Sequence, residues 1–253
     1  MLNQCDFCNL KQTRGTKLFK SLYGIDQILD TPKLTSFFAL IQDSFPLGID
    51  GAHLLLIPNK YHGHYTSFAS IENKMAIVNA RSLVINKLNL IFPNNPIFIF
   101  EHGSGMIEDK KIECGGCHIS HAHAHFLVIP RGHTLSMIKE EVDHNLSKSG
   151  WRNSQSRSLF HDNPLTDLKE ITENSPYLHF SMITLYLNET VTYVQKKISE
   201  QLESQLMRRI VSKIIYNRED TSYWNWQDIA SGFTSRERLE ELKHNILFFR
   251  SLF

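Results

Sequence analysis

The chain has 253 residues, enough to bury a sizeable core in one large domain or two small ones. Its 42% hydrophobic and 21% charged content is that of a globular protein, and a formal net charge of +1 argues against an extended nucleic-acid surface. No apolar run approaches membrane-spanning length, and Met1-Leu2-Asn3-Gln4-Cys5 lacks the basic and apolar regions of a signal peptide, so a cytoplasmic protein with reduced thiols is expected.

Taken in chain order, the first segment carries Cys5 and Cys8, one of two C-x-x-C pairs. Phe37 to Ile41 predicts a short strand, ended by Asp43-Ser44-Phe45-Pro46. Gly48-Ile49-Asp50-Gly51 reads as a turn, and His53 to Ile57 as an apolar strand stopped by Pro58. Between Ser70 and Phe92, Ile71, Met75, Val78, Ile85 and Leu88 fall at helical spacing, and Pro93 and Pro96 end the run. Ile97 to Phe100 predicts a further buried strand leading into Glu101-His102-Gly103. A polar loop from Ser104 to Glu113 follows, then Cys114-Gly115-Gly116-Cys117.

The most informative stretch comes next. Four histidines occupy eight residues, His118 to His125, and His121, His123 and His125 alternate. On an extended segment those three side chains share one face, while Ala122, Ala124 and Phe126 suit a core on the other. A row of imidazoles that titrate near neutral pH is rarely a packing device.

Beyond Pro130 the residues become polar, and 136–176 is expected to form a linker or lid. Tyr177 to Leu187 alternates weakly, as strands do. Leu202, Leu206, Ile210 and Ile214 mark a helix within Glu200–Tyr216, and a charged helical tail follows. Trp224 and Trp226 are expected as core anchors. His133 reads as a polar loop or strand-end histidine, and His161 and His179 have no surrounding constellation. The order strand, strand, helix, strand, histidine strand predicts an α+β core with an antiparallel sheet and packed helices.

His121-Ala122-His123-Ala124-His125-Phe126-Leu127 resembles the signature of the histidine-triad (HIT) superfamily. Gly51-Ala52-His53-Leu54-Leu55-Leu56-Ile57-Pro58 is similar to that superfamily's supporting histidine strand, with one extra residue before the histidine. Phe100-Glu101-His102-Gly103 and Cys5-Asp6-Phe7-Cys8 also match in order. The resemblance implies a HIT-like nucleotide-binding catalytic core over residues 1–135, followed by the linker or lid and an α/β extension, 177–253, packed on the core. It implies nucleotidyl transfer through a covalent intermediate on His123, either hydrolysis or transfer, at the α-phosphate of a nucleotide conjugate. A dinucleoside polyphosphate, a nucleoside phosphoramidate or a nucleotide sugar would be the substrate.

In that reading His125 bonds phosphate oxygens and His53 buttresses the row. Asp43 lies near the acidic ribose contact, and backbone groups around Gly116 stabilise developing charge. Small members carry Gln and then Ser or Thr where Cys117 and His118 stand, so His118 becomes a candidate general acid. Arg208 and Arg209, on one helix turn, are candidate phosphate contacts, against a plainer reading as a solvated face. The resemblance further implies a structural zinc ion held by Cys5, Cys8, His121 and either His62 or His64, with His62 preferred as the nearer. A site using both C-x-x-C pairs is the rival. Small members are commonly homodimers, an arrangement the extension would alter if it covered that interface. Two other classes compete: a zinc-dependent hydrolase using the H-x-H-x-H strand as metal ligands, and a non-catalytic nucleotide-binding module.

Overall fold

The computed structural model describes residues 14–29, 37–59, 67–108, 110–112, 121–147, 151–159, 168–185, 187–195, 202–203, 205–232 and 234–253. In chain order these form α1 (Arg14–Tyr23), β1 (Phe38–Gln42), β2 (His53–Pro58), α2 (Lys74–Ile91) and β3 (Ile97–Gly103). A small hairpin, β4 (Gly105–Ile107) and β5 (Lys110–Ile112), precedes β6 (Ala124–Val128), α3 (Leu135–Leu146), β7 (Trp151–Leu159) and α4 (Leu168–Thr172). Then come β8 (Tyr177–Ile183), β9 (Asn188–Gln195), α5 (Leu206–Tyr216), α6 (Thr221–Trp224), α7 (Trp226–Ala230) and α8 (Arg236–Leu252). Among the described residues no helix is long and apolar enough to cross a membrane.

Seven strands form one sheet in the order β1-β2-β6-β3-β8-β9-β7, and every neighbouring pair is antiparallel. The expected α+β class, with an antiparallel sheet and packed helices, is the one observed. Alternation along the strands sorts side chains between two layers. Leu54 and Leu56 of β2, Ile97 and Ile99 of β3, and Ala124, Phe126 and Val128 of β6 face α2, meeting Ala76, Ile77, Ala80, Val84 and Leu88. Phe98 and Phe100 of β3 and Leu127 of β6 face the other way, onto Ile138 and Val142 of α3 and Leu206, Ile210 and Val211 of α5. Both faces of the central strands are thus apolar, which explains why their sequences read as continuous runs rather than as alternation.

Residues 136–176, expected as a linker or lid, instead hold α3, the edge strand β7 and α4. Leu135, Ile138, Val142 and Leu146 follow helical spacing and are all buried, while Lys139, Glu140 and Glu141 between them give the stretch its polar appearance. Nor are residues 177–253 a separate layer laid on a finished core. β8 pairs with β3 along seven residues, from Ile97↔Ile183 to Gly103↔Tyr177, so the sheet runs on without a break. The charged tail forms α8, as expected. Trp224 is buried, but Trp226 is 41% exposed and is no core anchor.

The turn between β1 and β2 needs both of its glycines. A Cβ on Gly48 would lie 1.9 Å from the Ala52 carbonyl oxygen. Gly51 has φ +80°, and a Cβ there would lie 2.5 Å from the Asn245 carbonyl oxygen of α8. The resulting 3₁₀ turn, Ile49–Gly51, folds the segment 43–48 back over the start of β2, where His53 stands.

Candidate active site

Strands β2, β6 and β3 lie side by side and bring His53, His125 and Phe100 together. Leu55 and Phe100 are the two cross-strand partners of His125. Phe100 stacks on the His125 ring, with centroids 4.2 Å apart and planes 9° from parallel. The predicted row of three imidazoles on one strand is only partly so: β6 begins at Ala124, so His121 and His123 lie in its lead-in. The rings of His123 and His125 still neighbour each other edge-on, 5.1 Å between centroids.

The hydrogen bonds fix a tautomer at each ring. The backbone N–H of Leu47 donates to His53 Nδ1 at 3.3 Å, so that nitrogen carries a lone pair and the proton of the neutral ring sits on Nε2. His53 Nε2 is 2.9 Å from His125 Nδ1 and donates to it. His125 therefore carries its own proton on Nε2. His123 Nδ1 lies 2.9 Å from the His121 carbonyl oxygen, which only a protonated Nδ1 can satisfy, and this puts the His123 lone pair on Nε2. Two adjacent, half-buried rings thus carry a lone pair on His123 Nε2 and a proton on His125 Nε2.

Electrostatics hold these rings neutral. Burial is the main reason that His53 is pulled down to about 4, with Asp43 opposing and Arg208 assisting. His125 lies well below the usual histidine range, through burial and then the neighbouring His123, His53, Arg208 and His102. His123 is lowered as well, chiefly by burial. A neutral imidazole is the form that can attack phosphorus.

Asp43 is buried, and its carboxylate is engaged within the protein. Its Oδ1 accepts from the Phe45 N–H at 2.8 Å, and its Oδ2 lies 3.1 Å from Arg208 Nη1 and 3.8 Å from His53 Nε2. Burial raises its carboxyl, but Arg208, His53 and these hydrogen bonds together bring it below the usual carboxylate range. Arg208 is only 4% exposed; it also donates to the carbonyl oxygens of Phe45 at 2.6 Å and Trp224 at 2.9 Å. Neither the solvated-face reading nor a phosphate contact describes such an enclosed guanidinium. Arg209 turns to Glu203 and to Asn145 of α3, at 2.7 Å each, and does not join the histidines.

Asp43, His53 and His125 form the one group among the described residues whose geometry could hold a metal ion, their donor atoms lying within 4.8 Å of one another. A guanidinium 3.1 Å from the carboxylate disfavours a cation there, and both His53 nitrogens are engaged in hydrogen bonds. His121 is different. It is buried, and its Nε2 donates to the Pro58 carbonyl oxygen at 2.8 Å, which places its lone pair on Nδ1. Metal-binding histidines commonly anchor their second nitrogen on a backbone carbonyl in this way. Cys5, Cys8, His62, Gly116 and His118 lie outside the described residues, as do His64, Cys114, Cys117 and His161.

Some groups at this site carry no sequence signature. The Leu47 amide acts through its backbone, and Phe100 reads simply as a strand residue. His102 shares the Phe100 face of β3, with ring centroids 6.1 Å apart, and burial, then the neighbouring His123, lowers it to about 3. On the opposite face of the sheet, Glu101, Arg81 and His179 are buried, a polar cluster that periodicity gave no reason to expect.

No protein-family model matches the chain, and no curated protein matches it. Among solved structures, an ADP-glucose phosphorylase from Arabidopsis thaliana with bound ADP-glucose aligns at 12% identity, over 62% of this chain and 71% of that one, with a TM-score of 0.37. A GalT-like protein from the same plant aligns at 11% identity, over 81% of this chain and 82% of that one, also with a TM-score of 0.37. Likeness this slight bears on neither chemistry nor family.

Proposed function

We propose that this protein is a nucleotidyl-transfer enzyme that works through a covalent nucleotidyl-His123 intermediate, as the resemblance in its sequence implies. One observation carries the reading: the hydrogen-bonded rings leave a lone pair on His123 Nε2 beside a proton on His125 Nε2. The substrate is a nucleotide conjugate, whether a dinucleoside polyphosphate, a nucleoside phosphoramidate or a nucleotide sugar.

His123 Nε2 forms a bond to the α-phosphorus while the bond from phosphorus to the leaving group breaks. The ring gains positive charge and keeps its Nδ1 proton on the His121 carbonyl, which stabilises that charge. His125 donates from Nε2 to a non-bridging phosphate oxygen, and His118 is the group assigned to protonate the leaving group. Water or another hydroxyl then attacks phosphorus, giving its proton back to the now neutral His118, and His123 departs with its electron pair. The zinc reading stays structural, with His121 joining Cys5, Cys8 and His62. The His121 lone pair on Nδ1 suits that role, and no step of the reaction uses the ion.

The test incubates wild type and His123→Ala with nucleotide-labelled members of all three substrate classes, followed by an alkaline quench and mass spectrometry. An acid-labile nucleotide adduct on His123 in wild type, with adduct and turnover both lost in the variant, is expected. Undiminished turnover by His123→Ala would remove the nucleophile and the proposal with it.

A further inference from the structure

The relay ends on a charge pair that the proposed reaction does not itself require. Asp43 is a buried carboxylate with His53 Nε2 only 3.8 Å from its Oδ2. A carboxylate at that distance draws a proton onto an imidazole. A doubly protonated His53 would point an Nδ1 proton at the Leu47 N–H, which now donates to that atom at 3.3 Å. Two donors would then face each other, the turn 43–48 would lose its hold on β2, and a positive charge would sit against His125. What stands on the other side of Asp43 is Arg208, its Nη1 3.1 Å from the same oxygen, with Nη2 and Nε fastened to the Phe45 and Trp224 carbonyls. A guanidinium tied to two backbone carbonyls has little freedom to leave the carboxylate.

From this geometry, and resting on the reading of His123 as nucleophile, we infer that Arg208 is a positioning residue: by offsetting Asp43 it lets burial keep His53 uncharged, with its one proton on the nitrogen that orients His125. The charges acting on His53 are Asp43 beyond β1 and Arg208 on α5; the titratable ring of His125 on β6 faces it as a neutral partner, with His123 and His102 next to that ring. Arg208 is the permanently cationic member of that set. The C-terminal part of the chain thereby sets the protonation of a histidine that stands on the second strand.

The test is an imidazole ¹⁵N NMR titration of the full-length protein, with His53 assigned by its loss in His53→Asn. In wild type, His53 at pH 7 has one protonated nitrogen, and its midpoint lies near 4. In Arg208→Gln the midpoint rises by about 1–3 pH units, the effect of an opposite charge left unscreened at this range. Asp43→Asn moves it the other way, the double variant returns it toward wild type, and Arg208→Lys holds it near wild type while losing carbonyl bonds. Arg208→Gln that is less stable yet keeps the wild-type His53 midpoint shows a merely structural role and overturns the inference. If Arg208→Gln does not fold, Asp43→Asn and Arg208→Lys decide: an unmoved midpoint in the first, or a raised one in the second, overturns it equally. The titration is read without any substrate, so a failure of nucleotidyl transfer cannot be mistaken for a failure of this inference. With turnover in hand, the acid limb of kcat/KM moves with the His53 midpoint.

Discussion

Replacing His53 by Asn and by Gln separates the two bonds that this ring makes. An Asn amide can place its oxygen near the Nδ1 position and accept from Leu47, but it has nothing at Nε2. A Gln amide can reach the Nε2 position and donate to His125, but it abandons the Leu47 N–H. His53 is fully buried, so each lost bond strands a polar group at a cost of about 1–3 kcal/mol. Both variants should therefore unfold at lower urea, by similar amounts. Their activities should differ, because only the donor to His125 fixes which His125 nitrogen carries the proton. If that bond is felt in full in the transition state, its loss in Asn slows turnover by about 5- to 150-fold, while Gln stays closer to wild type. Urea unfolding and steady-state kinetics on the substrate found in the labelling panel would be compared. Equal losses of turnover, or Gln falling below Asn, would mean that the His53–His125 bond does not set the tautomer.

Two further outcomes concern stability. Gly51→Ala combines a left-handed backbone penalty of about 1–2 kcal/mol with a Cβ that meets the α8 backbone, for a total loss of roughly 2–5 kcal/mol in chemical denaturation; a loss below about 1 kcal/mol would show that the turn and α8 part easily. Burial pushes Glu101 up to about 8, so the folded state holds its proton while the unfolded chain releases it above about 4.5. The stabilisation is complete below about 4.5 and is lost as pH rises through 8. The depressed histidines act the other way, because their unfolded rings are still half protonated at pH 6.5, so the Glu101 effect is read as wild type minus Glu101→Gln, a difference that should fall by roughly 2 kcal/mol between pH 6.5 and 8. Glu101→Gln, which keeps an acceptor for the Phe68 N–H, should show only the histidines' gain over that window; parallel curves for the two proteins would place the titration elsewhere.

Much of the central sheet is legible because its strands are short apolar runs punctuated by glycine and proline. Phe38–Gln42, His53–Pro58 and Ile97–Gly103 lie close to where those signals place them, and α2 ends at Ile91, just before Pro93 and the left-handed Asn94. The linker expectation at 136–176 fails because α3 buries one narrow stripe: Leu135, Ile138, Val142 and Leu146 are outnumbered by the polar residues around them. The site divides in the same way. The histidines announce themselves by alternation, but their tautomers come from a backbone amide and a carbonyl that carry no side-chain signature. Arg208 stands out as a charge, but the burial that turns it toward Asp43 comes from pairing over 165 positions of sequence, which no local pattern encodes.

That separation has a consequence for the order in which the molecule is made. A growing chain acquires all of its clustered histidines by residue 125, yet β3 waits for β8 to cover its second edge, and Asp43 waits longer still for α5. Contacts between such distant segments form late, after costly loop closure. A chain stopped short of α5 would hold the chemical groups without the finished arrangement, so competence arrives only once that helix has been made.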